Sequence, residues 1–473
     1  MLGWDDQAEM KKDKTATSAV SGGGSLASTT PPHAFAGVLT ALVMVVLLLH
    51  LPSLRLPHIE GDEVIFTFLA ERLASDPRAY HLQGALEGPP ARRFIADTWA
   101  RLYVAPANDP RQAQLAAYFA AKDEAAVLYQ PVGPPGRYAY DPAIYDRPMF
   151  FHPPVYPYTL AAFRAALGSA GGPLLSMLCH VGTIILVALL GRTWAGDRVG
   201  LIAAALVAFD PVSWLAGSRL WIDGVSELAA TGAVLAAVWA RRHGTVVAHV
   251  VAGATLGLAA WTKLPALVVA PAVAMVTLEP PREGRAAAFA ALVGTAAVLL
   301  LAWLAIVRLG YGAWLPVDRP TSWIIEDRPY LRLTVGRPWH FYLTGLLLVA
   351  PIYLYAFPGL GNLRREPWLR VPAVWVAFGG LALTGLALAG VGGGYQLRYL
   401  APVVPGVCLL TAVGIARLPW WWAAPAVVLG AATFTTAFWG GVQVGTADPL
   451  PIVVLWYGEG LGLGLRDMFP GMW

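Results

Sequence analysis

The chain has 473 residues, of which 57% are hydrophobic and only 13% charged, with a formal net charge of +4. Soluble globular domains carry about 25% charged residues, so this composition excludes a soluble globular protein and predicts an integral membrane protein. The expected fold class is all-α and polytopic, because a helix satisfies its own backbone polar groups in lipid and an open sheet does not. The two cysteines, Cys179 and Cys408, lie inside apolar runs and imply neither a disulfide framework nor a metal cluster.

Residues 1–33 are rich in Ser, Gly and Thr, with Lys11, Lys12 and Lys14 close together. They are expected to form a disordered cytoplasmic tail, not a secretory signal, because the apolar run that follows lacks a small-residue cleavage pattern. Apolar runs then recur at 35–51, 173–191, 199–217, 224–240, 246–261, 264–278, 286–307, 340–357, 371–390, 399–416 and 420–440. Most are long enough to cross a hydrocarbon core of ~30 Å, which predicts about eleven transmembrane helices. The transmembrane domain is placed at 34–417, and 418–473 is assigned the last span and an outer C-terminal tail. Residues 153–168 are short and proline-rich and are expected to lie on, or dip into, the interface. They close a large first outer loop, 52–171, that carries amphipathic juxtamembrane helices. A second outer loop spans 308–339.

Lys/Arg bias in short loops sets orientation. With the N-terminus in the cytoplasm, the inner side receives Arg192, Arg198, Arg241, Arg242, Arg282, Arg285, Arg364, Arg365, Arg370 and Arg417. The short outer loops receive only Arg219, Lys263 and Arg398. The second outer loop breaks the rule with Arg308, Arg319, Arg328, Arg332 and Arg337. Either the assignment fails there or these arginines face an anionic ligand. No internal repeat is visible, which weighs against the two-halved architecture frequent in secondary transporters.

The ionisable residues expected to do chemistry gather on the outer side. Gly61, Asp62 and Glu63 open a short amphipathic helix on which Ile65, Phe68, Leu69, Arg72 and Leu73 follow helical spacing. Asp62 is either its N-cap, with Glu63 complementing the dipole, or a general base. His152, before Pro153 and Pro154, either belongs to a rigid turn or contacts a substrate or metal. Arg219 and Asp223 share one short loop; Asp223 is a second carboxylate on this face or a cap, and Arg219 binds substrate or snorkels. Asp210 precedes Pro211 inside a span, where an acid is expensive and functional by default; a local break there is the competing account. Of the 33 basic residues five are lysines, and only Lys263 lies within the helical region. It suits a phosphate as a mobile point charge, or it snorkels at a tight hairpin. Arg398 and Tyr399 follow a glycine run and either grip an anion or anchor a flexible turn. No P-loop, dinucleotide fingerprint or zinc-site spacing is present, so no nucleotide cofactor is expected.

This order of elements resembles the lipid-phosphate-sugar-dependent glycosyltransferases of the GT-C fold, in particular the protein O-mannosyltransferases and the bacterial lipid A aminoarabinose transferases. The similarity is carried by Asp62-Glu63 after the first span, His152-Pro153-Pro154 before the second, Arg192 to Gly196 after it, Ser218-Arg219 with Asp223, Thr262-Lys263, and Arg398-Tyr399 running to Pro405. It covers roughly residues 35–417 and is strongest to about residue 280. The resemblance implies a catalytic acid at Asp62 with Glu63 beside it, a second carboxylate at Asp223, a lipid-phosphate contact at Lys263, and the outer arginine at Arg398. Tyr399, Arg219, His152 and Arg337 complete the implied substrate-binding set. Some relatives carry a divalent metal cation, whose ligands do not map onto this sequence.

The expected activity is therefore an inverting transfer of a sugar from a polyprenyl-phosphate donor to a hydroxyl or phosphate, with Asp62 as base and Lys263 and Arg398 on the lipid phosphate. The acceptor is a glycan, lipid or protein; membrane lipids are partners and nucleic acid is not. The Ala-, Arg- and Gly-rich composition suggests a GC-rich bacterium, hence undecaprenyl phosphate, a multi-pass inner-membrane protein and an active site on the periplasmic or extracellular face. The competing expectation is a transporter or flippase of lipid-linked glycans.

Overall fold

The computed structural model describes residues 32–55, 61–81, 152–278, 284–311, 340–361, 363–388 and 397–439, with the side chains of 61–65 outside that description. The predicted tails, most of both outer loops and Arg337 lie outside the described residues. Among those described, all regular structure is helical. The elements are α1 (Pro32–His50), α2 (Gly61–Ser75), α3 (Val155–Leu167), α4 (Gly171–Ala195), α5 (Asp197–Ala208), α6 (Pro211–Ser218), α7 (Ile222–His243) and α8 (Val246–Thr262). They continue with α9 (Ala270–Leu278), α10 (Arg285–Tyr311), α11 (Phe341–Val349), α12 (Ala356–Leu360), α13 (Arg370–Leu388), α14 (Val404–Arg417) and α15 (Ala423–Trp439).

Every predicted span falls on helix, but not every span is one straight helix. Among the described residues five helical segments are long and apolar enough to cross a membrane, and α5 with α6 makes a sixth if that pair, bent by 59°, is one span. The break between them has a local cause. Asp210 is extended (φ −70°, ψ 132°), accepts from the Ser213 N–H at 2.8 Å, and hands over to Pro211 in the first turn. That is an N-cap followed by proline at the position where its missing N–H is harmless, so the local break accounts for Asp210. The span predicted at 264–278 is likewise divided, into a 3-10 segment Leu264–Val269 and α9. The one at 340–357 is divided by Pro351–Tyr355 between α11 and α12.

Residues 153–168 form the separate helix α3, which turns through Gly168 (φ 64°) into α4. Helix α3 packs on α2 and α4. Phe66 meets the rings of His152 and Tyr156 edge-on at 4.8 and 4.9 Å, and Arg164 pairs with Glu71 at 2.5 Å. The Tyr158 and Tyr80 hydroxyls donate to the carbonyls of Pro77 and His152 at 2.7 and 2.8 Å. The amphipathic reading of α2 is correct in period and wrong in phase. Its buried stripe is Phe66, Leu69, Ala70 and Leu73, while Phe68 and Arg72 are half-buried. The shift arises because α3 covers this side of α2, so Phe66 faces protein and not the interface.

The contacts sort into two ends of one bundle. At one end α1 finishes at His50, whose Nε2 lies 2.9 Å from His180 Nδ1 and whose ring stacks on Trp214 at 4.0 Å. The opposite end holds Arg192 paired with Asp197 at 2.8 Å, Arg192 over Phe35, Arg417 paired with Glu366, and Trp194 stacked on Trp368. Between the ends the helices approach closely at small residues. A Cβ at Gly253 would overlap the backbone carbonyl of Leu292, and one at Gly257 would come within 2.7 Å of the Leu299 side chain. Small residues are what allow membrane helices to touch along their backbones. Gly253→Val is therefore expected to force α8 from α10, destabilising the protein by about 1–3 kcal/mol as overpacking does. Thermal unfolding in detergent checks this, with Gly294→Val, at a position with no neighbour within 4 Å of an added Cβ, as the control expected to melt with the parent.

Candidate functional site

The site is assembled where α6 ends, α7 begins and α8 ends. After α6 the backbone runs extended through Arg219 (φ −113°, ψ 156°) and Trp221 (φ −105°, ψ 141°) before turning into α7. The Ser176 hydroxyl on α4 fixes this link by donating to the Arg219 carbonyl at 2.6 Å. Asp223 thus falls in the first turn of α7, where the helix dipole favours an anion. It is not the N-cap: that position is Trp221, which makes no side-chain cap bond. Asp223 is 1% exposed, and its Oδ1 accepts from Lys263 Nζ at 2.5 Å.

Lys263 ends α8 in an extended conformation (φ −161°, ψ 130°), which turns its side chain across to α7 and leaves it 16% exposed. It is paired within the protein and does not snorkel. Its ammonium also lies 4.4 Å from the centroid of Tyr399, carried by the 3-10 turn Leu397–Leu400. Arg398, on the same turn and 8% exposed, stands 4.9 Å over Trp221 and 5.6 Å from Tyr399. Two cations and two aromatic faces therefore alternate, with Lys263 at one end of the series on the buried carboxylate of Asp223. Cation–π contacts strengthen with desolvation, and here they hold both charges in place without neutralising them. The second oxygen of Asp223, Oδ2, is buried with no hydrogen-bond partner among the described residues. Such a group can accept from an incoming hydroxyl or reorient when Lys263 takes a second anion.

The structure thus brings together Asp223, Lys263, Arg398 and Tyr399, with Arg219 buried at 3% exposure at the end of α6. His152 is placed elsewhere, in the contact between α2 and α3. Helix α2 starts at Gly61, so Asp62 and Glu63 stand in its first turn, while their side chains, like Arg337, lie outside the described residues. Trp221 went unrecognised in the sequence, although a tryptophan two residues before an outer-face acid is a visible signal for a cation platform. Among the described residues no group of three or more His, Cys, Asp or Glu is arranged to hold a metal, and the acid in this cluster already faces an ammonium.

An all-helical bundle with broken spans converging on a charged end has the architecture of GT-C membrane proteins, and the chain has that fold. Residues 151–307 match the sequence profile of dolichyl-phosphate-mannose-protein mannosyltransferases, a third of the chain that includes Asp223 and Lys263. No curated protein matches the sequence. Among solved structures the chain is similar to ArnT from Cupriavidus metallidurans bound to undecaprenyl phosphate, with a TM-score of 0.53 at 14% identity over 93% of this chain and 70% of that one. The apo form of the same ArnT gives 0.52 at 15% identity, over 84% and 62%. An oligosaccharyltransferase from Archaeoglobus fulgidus gives 0.48 at 12% identity, over 92% and 56%. The profile over 151–307 is that of mannosyltransferases, and the two ArnT matches show the fold.

Removing one member of a buried pair leaves the other charge stranded, at a cost of about 3–5 kcal/mol. Lys263→Met is accordingly expected to lower the melting temperature in detergent strongly, and the double variant Lys263→Met with Asp223→Asn to recover most of the loss. Equal destabilisation in the single and double variants would show that the pair does not form.

Proposed function

We propose that the chain is an inverting glycosyltransferase that moves a sugar from a polyprenyl-phosphate donor to an acceptor hydroxyl or phosphate. The observation that carries this reading is the Lys263, Arg398 and Tyr399 cluster beside Asp223. A phosphodiester at a membrane surface needs cations that are fixed in advance and partly shielded from water, because such charges stabilise a developing phosphate without reorganisation. Support for the donor class comes from the mannosyltransferase profile over 151–307 and from the undecaprenyl phosphate held by the similar ArnT.

In this mechanism the acceptor oxygen attacks the anomeric carbon from the face opposite the phosphate. The new C–O bond forms as the bond from the anomeric carbon to the phosphate oxygen breaks, and that electron pair leaves on the polyprenyl phosphate. Lys263 and Arg398 meet the additional negative charge. Asp62, in the first turn of α2, takes the proton of an acceptor hydroxyl, and Glu63 shapes its field. Asp223 keeps Lys263 aimed until the donor phosphate shares it. Tyr399 and Trp221 form the walls between which the cations sit. Arg219 and Arg337 extend the binding surface towards the rest of the substrate, while His152 serves the contact between α2 and α3. The basic residues of the short inner loops favour an orientation with this end on the periplasmic or extracellular side, and the Ala-, Arg- and Gly-rich composition favours a bacterial inner membrane.

Membrane vesicles holding labelled polyprenyl-phosphate sugar and an acceptor extract test the proposal. Asp62→Asn is expected to lower transfer by about 10²–10⁴-fold, the usual worth of a positioned base, at normal membrane levels of the protein. Arg398→Ala is expected to raise the apparent KM for donor. Full transfer by both Asp62→Asn and Asp223→Asn would overturn the catalytic assignment. Movement of lipid-linked sugar across the vesicle without any acceptor would replace it with a transporter.

A further inference from the structure

Two acids lie behind the site and take no part in the chemistry above. Glu227 and Asp210 are 1% and 0% exposed, and among the described residues neither pairs with a cation. Both bind Ser213. Its N–H donates to Asp210 Oδ1 at 2.8 Å and its hydroxyl to Glu227 Oε1 at 2.5 Å. The other oxygen of Asp210 accepts from the Tyr353 hydroxyl, which also lies 3.3 Å from Cys408 Sγ. A continuous polar chain thus runs from α7 through α6 and the break before it to the Pro351–Tyr355 turn and α14.

Glu227 follows Asp223 by four residues, one turn along the same face of α7. A leucine there would fill apolar space without the desolvation that a carboxyl suffers. What the carboxyl adds is a directed bond to α6. That helix has only eight residues, enters at a 59° bend, and ends in the extended link that delivers Asp223. Apolar packing makes α6 and α7 adjacent; the bond through Ser213 fixes how far one is slid and rotated against the other, and a site needs that precision from the groups behind it.

We propose that Glu227, held by Ser213, is a positioning residue that sets the first turn of α7 and so aims Asp223 Oδ1 at Lys263 Nζ. The proposal deepens the reading of this pair as the donor-phosphate site, but its test needs no sugar transfer. Lys263 is one of five lysines, so Lys11, Lys12, Lys14 and Lys122 serve as internal references for its acylation by an amine-specific reagent, followed by peptide mass spectrometry of the full-length protein. Glu227→Ala and Ser213→Ala are each expected to raise the relative rate at Lys263 about fivefold, the scale set by losing one hydrogen bond. The double variant should exceed neither single. Glu227→Gln, which keeps an acceptor for the Ser213 hydroxyl, should stay within about twofold of the parent, again on the scale of a single bond. A lowered melting temperature with unchanged Lys263 reactivity in both alanine variants would reduce Glu227 to a packing role and overturn the proposal. Full additivity in the double variant would do the same. A parent protein inactive with every polyprenyl-phosphate donor would remove the proposed function and leave the Lys263 result standing.

Discussion

The ion pair between Asp223 and Lys263 is the contact on which the arrangement at this end of the bundle depends. Taking a carboxylate out of water is expensive by several kcal/mol, and the Coulombic return offsets this only with good geometry and supporting bonds. The fold supplies three kinds of support. The first turn of α7 offers its dipole to Asp223, the extended end of α8 swings Lys263 inward, and the ring of Tyr399 covers the ammonium. Because the pair spans α7 and α8, any shift of either helix is felt as a buried charge losing its partner. That makes the cluster stiff before a ligand arrives, as electrostatic stabilisation of a leaving phosphate requires.

Breaks in the helices are what let so many polar groups meet. The chain interrupts its spans at Asp210-Pro211, at Lys263 to Val269 and at Pro351 to Tyr355. Irregular backbone within a membrane protein persists where protein surrounds it, and here each break has a polar group beside it: the buried Asp210 and Tyr353 and the half-buried Lys263. Asp210 answers a backbone N–H at its break, while Lys263 and Tyr353 tie their pieces to the carboxylates of Asp223 and Asp210. His50 and His180, in direct contact and with Trp214 packed against both rings, tie α1, α4 and α6 together. The opposite end is simpler, with the pairs Arg192–Asp197 and Arg417–Glu366 closing its turns.

Much of this was legible in the residues. The apolar runs fell on helix among the described residues, and the scarcity of charge between 199 and 278 made Arg219, Asp223 and Lys263 conspicuous. Periodicity marked α2 as amphipathic but set its stripe one residue out of phase, because period alone does not say which neighbour covers which side. Asp223, offered as a cap, is not one, and Asp210, read as a functional acid or a local break, is one. Both acids precede helical runs, yet only Asp210 caps one, and Asp223 turns instead to a lysine forty residues away. The acid at Glu227, four residues beyond Asp223, was the overlooked signal: an acid within an apolar span needs a partner, and Ser213 is it.

The sequence by itself determined that the chain is a bundle of membrane helices, roughly where those helices lie, and that Arg219, Asp223, Lys263 and Arg398 fall on the side opposite the arginine-rich loops. These follow from transfer free energies and from one-dimensional periodicity, which are local properties of the residues. Only the tertiary structure decided that Asp223 pairs with Lys263, that Arg398 lies over Trp221, and that Asp210, Ser213, Glu227 and Tyr353 form one chain. Those partners depend on helix rotation, on bends such as the 59° turn before α6, and on side-chain direction, which a few ångströms of packing settle and no spacing in the sequence encodes.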